Sequence, residues 1–543
     1  MISTGLVQLA AETANGVNEI NSGAASQFLF VGAAAEPHIN VAATVMLAVC
    51  TALVLFMVPG LAFFYGGLVR RKNVGTIMAQ CFISMAIVTA IWICGGFSLA
   101  FGSDTPGGFI GDIKDYVFFR NIIFTDGWNT TGLVVNATLA DGVPFILFFL
   151  FQLAFAIITP ALVVGAFADR LSWRGYIIFN VLFTIFIYIP VCHWIWGGGF
   201  LAQNGVVDWA GGIVIHVTCG FAAIASVIVL RRRSVMKKET TAPHSLPLVA
   251  IGAGILFFGW FGFNVGGSCF VPTVYADYNA AISASSTDAL AQLDQHALMI
   301  GVTAFVNSFL GMCGAMLIWM TLDFIVAKRT SFASILTAGV AGLATVTPGA
   351  GFVPMWAGLV FGLAGGFVCY WMCKLNHKVH FDDALEVWPV HGMGGVTGGL
   401  LVGAFATTLA NPVLLGSTQH IGNSLGSGYL FGMQLGAICL VATWTLVFGL
   451  AIFGITLLTK DRMSTEEQIE GLDHVLFHED AYASAISVEA VMQGEGNELT
   501  GHRHASKLSR IKSFKKPKTT SEVVQKVSLS EKISEARVEE KQA

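Results

Sequence analysis

Eleven apolar stretches, separated by polar connections, cover roughly 41–69, 74–101, 144–168, 175–199, 209–230, 247–268, 296–321, 332–348, 354–373, 386–408 and 430–459. A hydrocarbon core of about 30 Å needs about 20 residues of apolar helix. The pattern therefore predicts an all-α integral membrane protein with eleven transmembrane helices. Residues 1–40 read as an extracellular lead-in, 41–459 as the helical domain, 460–482 as an ordered cytoplasmic segment and 483–543 as a disordered cytoplasmic tail.

Composition agrees with the pattern. The chain is 55% hydrophobic and 11% charged, where a soluble chain carries about 25% charged residues. A net charge of -4 excludes a nucleic-acid polycation, so nucleic acid is not an expected partner, whereas membrane lipids are. Ten scattered cysteines form no CxxC pair and no dense cluster, so neither a zinc site nor a disulfide framework is indicated. No cofactor and no metal are expected. Residues 1–40 contain no Lys or Arg and so lack the basic start of a secretory signal.

Charge sets the expected orientation, because Lys and Arg are retained on the cytoplasmic side. With the N-terminus outside, 27 of the 29 basic residues fall in cytoplasmic segments, and only Lys114 and Arg120 fall outside. Two sequons, at Asn129 and Asn136, lie in the 102–143 connection that this topology exposes to the exterior, consistent with a glycoprotein.

Ionisable side chains inside spans are costly and by default point to function. His216 lies eight residues after Asp208, which opens span 5, and so about 12 Å along a helix. His391 is at similar depth in span 10. A lone membrane histidine is more often a hydrogen-bonded packing residue, but these two are five spans apart. Because five is odd, two five-helix halves would be inverted copies, plus an eleventh helix, and sites in such folds form at the midplane between repeats. Phe155, Trp196, Trp260 and Phe263 form a second cluster, in which ring faces attract a small cation. The bland alternative is ordinary core aromatics in a chain that is 12% aromatic.

The motifs PGLAFFYGGLVRRKN, HWIWGGG, DWAGGIVIH, GWFGFN, VWPVHG and EGLD…HEDAY occur in order between about 41 and 482. In these the chain resembles the ammonium transporter (Amt/Mep/Rh) family, and specifically the eukaryotic type of the Amt branch, since Rhesus proteins lack the FYGG and GWFGFN forms. The resemblance implies a plasma-membrane homotrimer with one ammonium/ammonia pore per subunit and no enzymatic activity. It also implies roles: Phe155 and Phe263 as a stacked gate, Gln152 beside it, Trp196 and Trp260 around an outer recruitment site ordered by Asp208, and His216 with His391 as the pore pair. The family usually reads FNxGS where this chain reads FNVGGS, so Gly267 stands where the recruitment hydroxyl is expected and Ser268 follows one residue later.

The 460–482 segment resembles one that packs beneath the pores and across subunits. Ser506 and Ser513 follow basic residues and make a kinase one partner the tail admits; an unmodified tail skimming the lipid surface is the simpler alternative. Asp382, Asp383 and Glu386 are either solvated charges or regulatory contacts. Two other functional classes fit parts of the pattern. An ammonium sensor with little flux would keep the outer site and the tail. A metal enzyme could use the two histidines, but no third or fourth ligand lies at their depth.

Overall fold

A computed structural model describes residues 39–125, 130–131, 134–136, 138–237, 242–270, 287–411 and 425–482, excluding the side chains at 124–125, 130–131, 236–237 and 287–296. These fall in the first of two compact units, Met1–Tyr482. Most of the N-terminal lead-in, the sequon residue Asn129 and the tail with Ser506 and Ser513 lie outside the described residues.

Among the described residues nine helices are long and apolar enough to cross a membrane: α1 Val41–Leu68, α2 Arg71–Phe101, α3 Phe145–Val163, α4 Trp173–Gln203, α5 Gly212–Leu230, α6 Leu246–Phe270, α7 Ala297–Ala327, α9 Ala357–Val379 and α11 Gly428–Leu458. The other two expected spans are shorter. α8, Phe332–Val346, has 15 residues and so a length of about 22 Å. α10 is broken, with a π-helical turn Trp388–Gly392 leading into Met393–Phe405. A two-residue antiparallel pair, Phe124–Thr125 with Thr130–Thr131, is the described strand structure.

Local chemistry explains several helix starts. Asn40, Ser172, Ser245 and Ser427 each accept a hydrogen bond from the backbone N–H three residues on, satisfying donors that a first turn leaves open. α3 and α5 are the most enclosed spans, 83% and 78% buried against 28% for α7. They therefore form the centre of the bundle, and they carry Gln152, Phe155 and His216.

Two helix pairs bring distant parts of the chain together. α1 packs along α6, and α5 packs along α10. The second pair crosses at two glycines, where a Cβ on Gly220 would lie 2.1 Å from the Gly392 Cα. No other residue permits that approach, and it brings the two histidine-bearing helices together.

One face of the bundle carries the basic connections. There Arg233 holds Asp382 through Nη2–Oδ1 at 2.7 Å and Nε–Oδ1 at 3.1 Å, while Arg70 donates to Asp169 at 3.1 Å. Burial acts to raise Asp382, but the Arg233 hydrogen bonds and the Arg170 and Arg233 charges hold it below the usual carboxylate range. Asp383 differs: burial pushes it up to about 7, against the N–H donors of Trp388 and Val387. Glu386 pairs with His377 at 2.9 Å. All three acids are thus engaged with the protein itself.

Helices α12 (Thr465–Glu470) and α13 (Leu472–Phe477) dock on this face. Asp473 accepts from the N–H groups of Gly75 and Thr76 at 2.9 and 2.7 Å, and thereby caps α2. Gln468 accepts from Ser234 N at 2.9 Å, and its carbonyl receives Arg70 at 2.9 Å.

Candidate functional site

Two spaces lie along the bundle axis. A cavity of about 570 Å³ opens on the face opposite the basic connections, and its walls include Gln152, Phe155, Trp196, Asp208, Trp209 and Phe263. Deeper lies a slit of about 10 Å³ between His216, His391, Trp260, Tyr65 and Phe263. Phe263 borders both spaces and is the partition between them. The slit is near the minimum volume that holds one water, and hence one ammonia-sized molecule.

The aromatic geometry departs from expectation in two respects. Phe155 and Phe263 meet at 4.5 Å with an interplanar angle of 84°, so the rings are edge-to-face rather than stacked. This arrangement sets the positive ring edge against a negative ring face. Trp260 does not line the large cavity. It is 1% exposed and lies parallel to His216 at 5.5 Å, with Nε1 donating to Thr347 Oγ1 at 2.9 Å. The reason is helical direction: α6 starts on the basic face, so Trp260, three residues before Phe263, sits about 4.5 Å nearer that face. Trp196 does line the cavity, 5.9 Å from Phe155. The second cavity tryptophan is Trp209, whose Nε1 donates to Asn264 O at 2.6 Å. Its place beside Asp208 in DWAGG is the sequence signal that marks it.

Asp208 is a buried helix cap. Its Oδ1 accepts from Gly211 and Gly212 N–H at 2.9 and 2.7 Å, and its Oδ2 accepts from Ile213 and Val214 at 2.7 and 3.0 Å. All four open donors of α5 are satisfied by one carboxylate, which also complements the positive end of the helix. The Asp208 backbone carbonyl accepts from Trp196 Nε1 at 2.8 Å, so the cap and the indole are fixed together.

Gln152 lines the cavity with a buried Oε1 that has no hydrogen-bond partner. An unmet buried carbonyl costs about 1–3 kcal/mol. Ser268 is not in the cavity wall, and its hydroxyl turns back to donate to Val265 O at 2.8 Å. Gly267 borders the cavity in its stead. A one-residue shift on a short 3-10 turn, Gly266–Phe270, rotates Ser268 about a third of a turn away.

His216 and His391 meet at their Nδ1 atoms, 3.2 Å apart, with rings 19° from parallel. Each sits on a π-helical turn, Gly212–Val217 and Trp388–Gly392. Such turns are rare and concentrate at functional sites. Gly211, with φ of +112°, makes the tight entry to the first. His216 Nε2 is buried without a partner. Among the described residues no group of three or more His, Cys, Asp or Glu gathers in a way that could hold a metal ion.

A bundle of apolar, membrane-length helices around an open, mostly aromatic and apolar cavity and a histidine-lined slit is the architecture of a polytopic membrane transport protein. The model of the Ammonium Transporter Family matches residues 45–482. The ammonium transporter of Bacillus subtilis is 34% identical over 447 residues, which is 82% of this chain and 99% of that protein. Ammonium transporter 1 of Schizosaccharomyces pombe is 33% identical over 441 residues, 80% of each chain. The crystal structure of Saccharomyces cerevisiae Mep2 superimposes with a TM-score of 0.67 at 26% identity, covering 83% of this chain and 93% of that one. This chain belongs to the ammonium transporter family.

Proposed function

We propose that this protein moves ammonium across the plasma membrane by recruiting the cation in the large cavity, transferring its proton to the imidazole pair just past the Phe155–Phe263 partition and passing ammonia along the histidine-lined slit. The single observation that carries the reading is the junction at Phe263, where a cavity of about 570 Å³ gives way to a slit of about 10 Å³. Transferring an ion of ammonium size to a medium of low dielectric carries an idealised cost of about 20 kcal/mol, so a dry slit of that size does not pass a bare cation. In the cavity, the Trp196 ring and the unpartnered Gln152 oxygen replace part of the hydration shell. In the slit, a neutral imidazole pair accepts from N–H donors and relays a proton. Potassium has no proton to give up and is rejected, which size alone would not achieve.

The large cavity is the extracellular side in this reading, since the opposite face carries the basic connections. The N-terminus is outside, the C-terminal segment is cytoplasmic and the working unit is a homotrimer with one pathway per subunit. The segments 1–40, 41–459, 460–482 and 483–543 act as lead-in, transport domain, docked regulator and tail. Uptake of ammonium or methylammonium by cells lacking their own carriers, with current recorded, tests the proposal. Binding with no flux would instead make the protein a sensor.

A further inference from the structure

The wall of the large cavity holds an aspartate–histidine contact that none of the roles above uses. His193, on α4, is fully buried, and its Nε2 lies 3.0 Å from Oδ1 of Asp104, a residue that lines the cavity with about a third of its side chain exposed. The other ring nitrogen, Nδ1, lies 3.0 Å from the Ala100 carbonyl. A carbonyl and a carboxylate only accept, so meeting both requires a proton on each ring nitrogen, and the ring is then an imidazolium. A Cβ on Gly197 would lie 1.9 Å from Ala100 O and 2.7 Å from His193 Nδ1, so the glycine run after Trp196 is what lets the two segments close on this pair. Of the two carboxylates in the cavity wall, Asp208 is fully committed to four N–H groups, which leaves Asp104 as the one whose charge faces the space.

We propose that Asp104 and His193 form a charge-compensated pair that sets the potential felt by a cation entering the cavity, and so tunes recruitment. The inference rests on the reading of that cavity as the recruitment site. With both residues charged the pair carries no net charge. Without Asp104 the wall loses the carboxylate that faces the space, and without His193 that carboxylate is left uncompensated. The two single changes therefore act in opposite directions on a cation, whereas two residues that only brace a loop act in the same direction.

The test uses the full chain in cells lacking ammonium carriers, with surface expression quantified. The external methylammonium concentration giving half-maximal current is compared for the parent, Asp104→Asn, His193→Gln, the double variant and Trp196→Leu, at two ionic strengths. Asp104→Asn raises the value and His193→Gln lowers it, each by roughly two- to tenfold. The double variant returns toward the parent, and both shifts shrink at higher ionic strength. Shifts of the same sign that add in the double variant overturn the pair. If His193→Gln fails to reach the surface, Asp104→Asn against Asp104→Glu decides: Asn weakens recruitment more than Glu, and an equal effect overturns the proposal. Trp196→Leu separates the two levels. If it leaves the half-maximal concentration unchanged, the recruitment reading itself fails; if it raises that concentration while the pair variants move together, only the pair proposal fails.

Discussion

His216 and His391 are 175 positions apart in the chain, yet their Nδ1 atoms lie 3.2 Å from each other. Two nitrogens at that distance share one proton: one Nδ1–H donates and the other Nδ1 accepts. The accepting ring then carries its remaining proton on Nε2, while the donating ring presents a bare Nε2 lone pair. The pair thus offers one donor and one acceptor toward the slit, which suits a molecule that both gives and receives hydrogen bonds.

If that pair enforces loss of the proton, a carboxylate in its place should relax the requirement. His216→Asp or His391→Glu should admit potassium or change the charge moved per ammonium, because a carboxylate stabilises a cation that keeps its proton. Currents across ammonium and potassium gradients decide. Unchanged selectivity in folded variants would leave the histidines as structural residues.

Cavity and slit residues should separate kinetically. Gln152→Leu removes the unpartnered acceptor and Trp196→Leu a cation-attracting face worth about 1–2 kcal/mol, so each should raise the half-saturating ammonium concentration about tenfold. Trp260→Leu, which opens space beside His216, should instead change maximal flux while leaving half-saturation near the parent value. A Trp260→Leu effect confined to half-saturation would contradict the depth described for that residue.

Gly267→Ser restores the family's usual residue. A Cβ there would sit 3.3 Å from Trp209 Cζ2, close enough to require a shift of a few tenths of an ångström and no more. The added hydroxyl should lower the half-saturating concentration by a few-fold, since a hydrogen bond to a charged group contributes about 1.5–3 kcal/mol before the cost of ordering it. A weaker apparent affinity would mean that the Trp209 ring does not yield.

The raised value at Asp383, about 7 against an ordinary 3.8, makes stability depend on pH. The folded chain keeps a proton that the unfolded chain releases, so this group's contribution is fully present below about pH 4 and is lost as pH rises toward 7. Asp383→Asn keeps an acceptor for Trp388 N, which now donates to Oδ2 at 2.6 Å, and cannot ionise. Thermal unfolding in detergent between pH 4 and 8 should show the variant gaining a few kcal/mol on the parent at the upper end. Parallel profiles would exclude Asp383 as the source.

Span positions and the two histidines were legible because length and the expense of buried polarity act within one segment. The α5–α10 pairing followed from counting. What escaped depends on direction and rotation: Trp260 and Phe263 are three residues apart on one helix, and which is deeper depends on the end from which the helix enters. Ser268 points away because of a single step on a tight turn. The Asp104–His193 contact joins a loop to a helix 89 positions away, and nothing in either motif specifies it. The edge-to-face Phe155–Phe263 geometry is likewise set by packing between helices.

Each histidine turn holds one residue more than an α-helical turn would, so α5 and α10 contain an insertion that substitution cannot undo. Deleting a single residue from Gly212–Val217 or from Trp388–Gly392 would let that turn close to α-helical form with its flanks in place, and would move the imidazole from the position that the wider turn gives it. Divergence at these two turns is therefore free to exchange letters but not to change their number, and any relative that keeps the paired rings must keep the spacing from Asp208 to His216 and from Asp383 to His391.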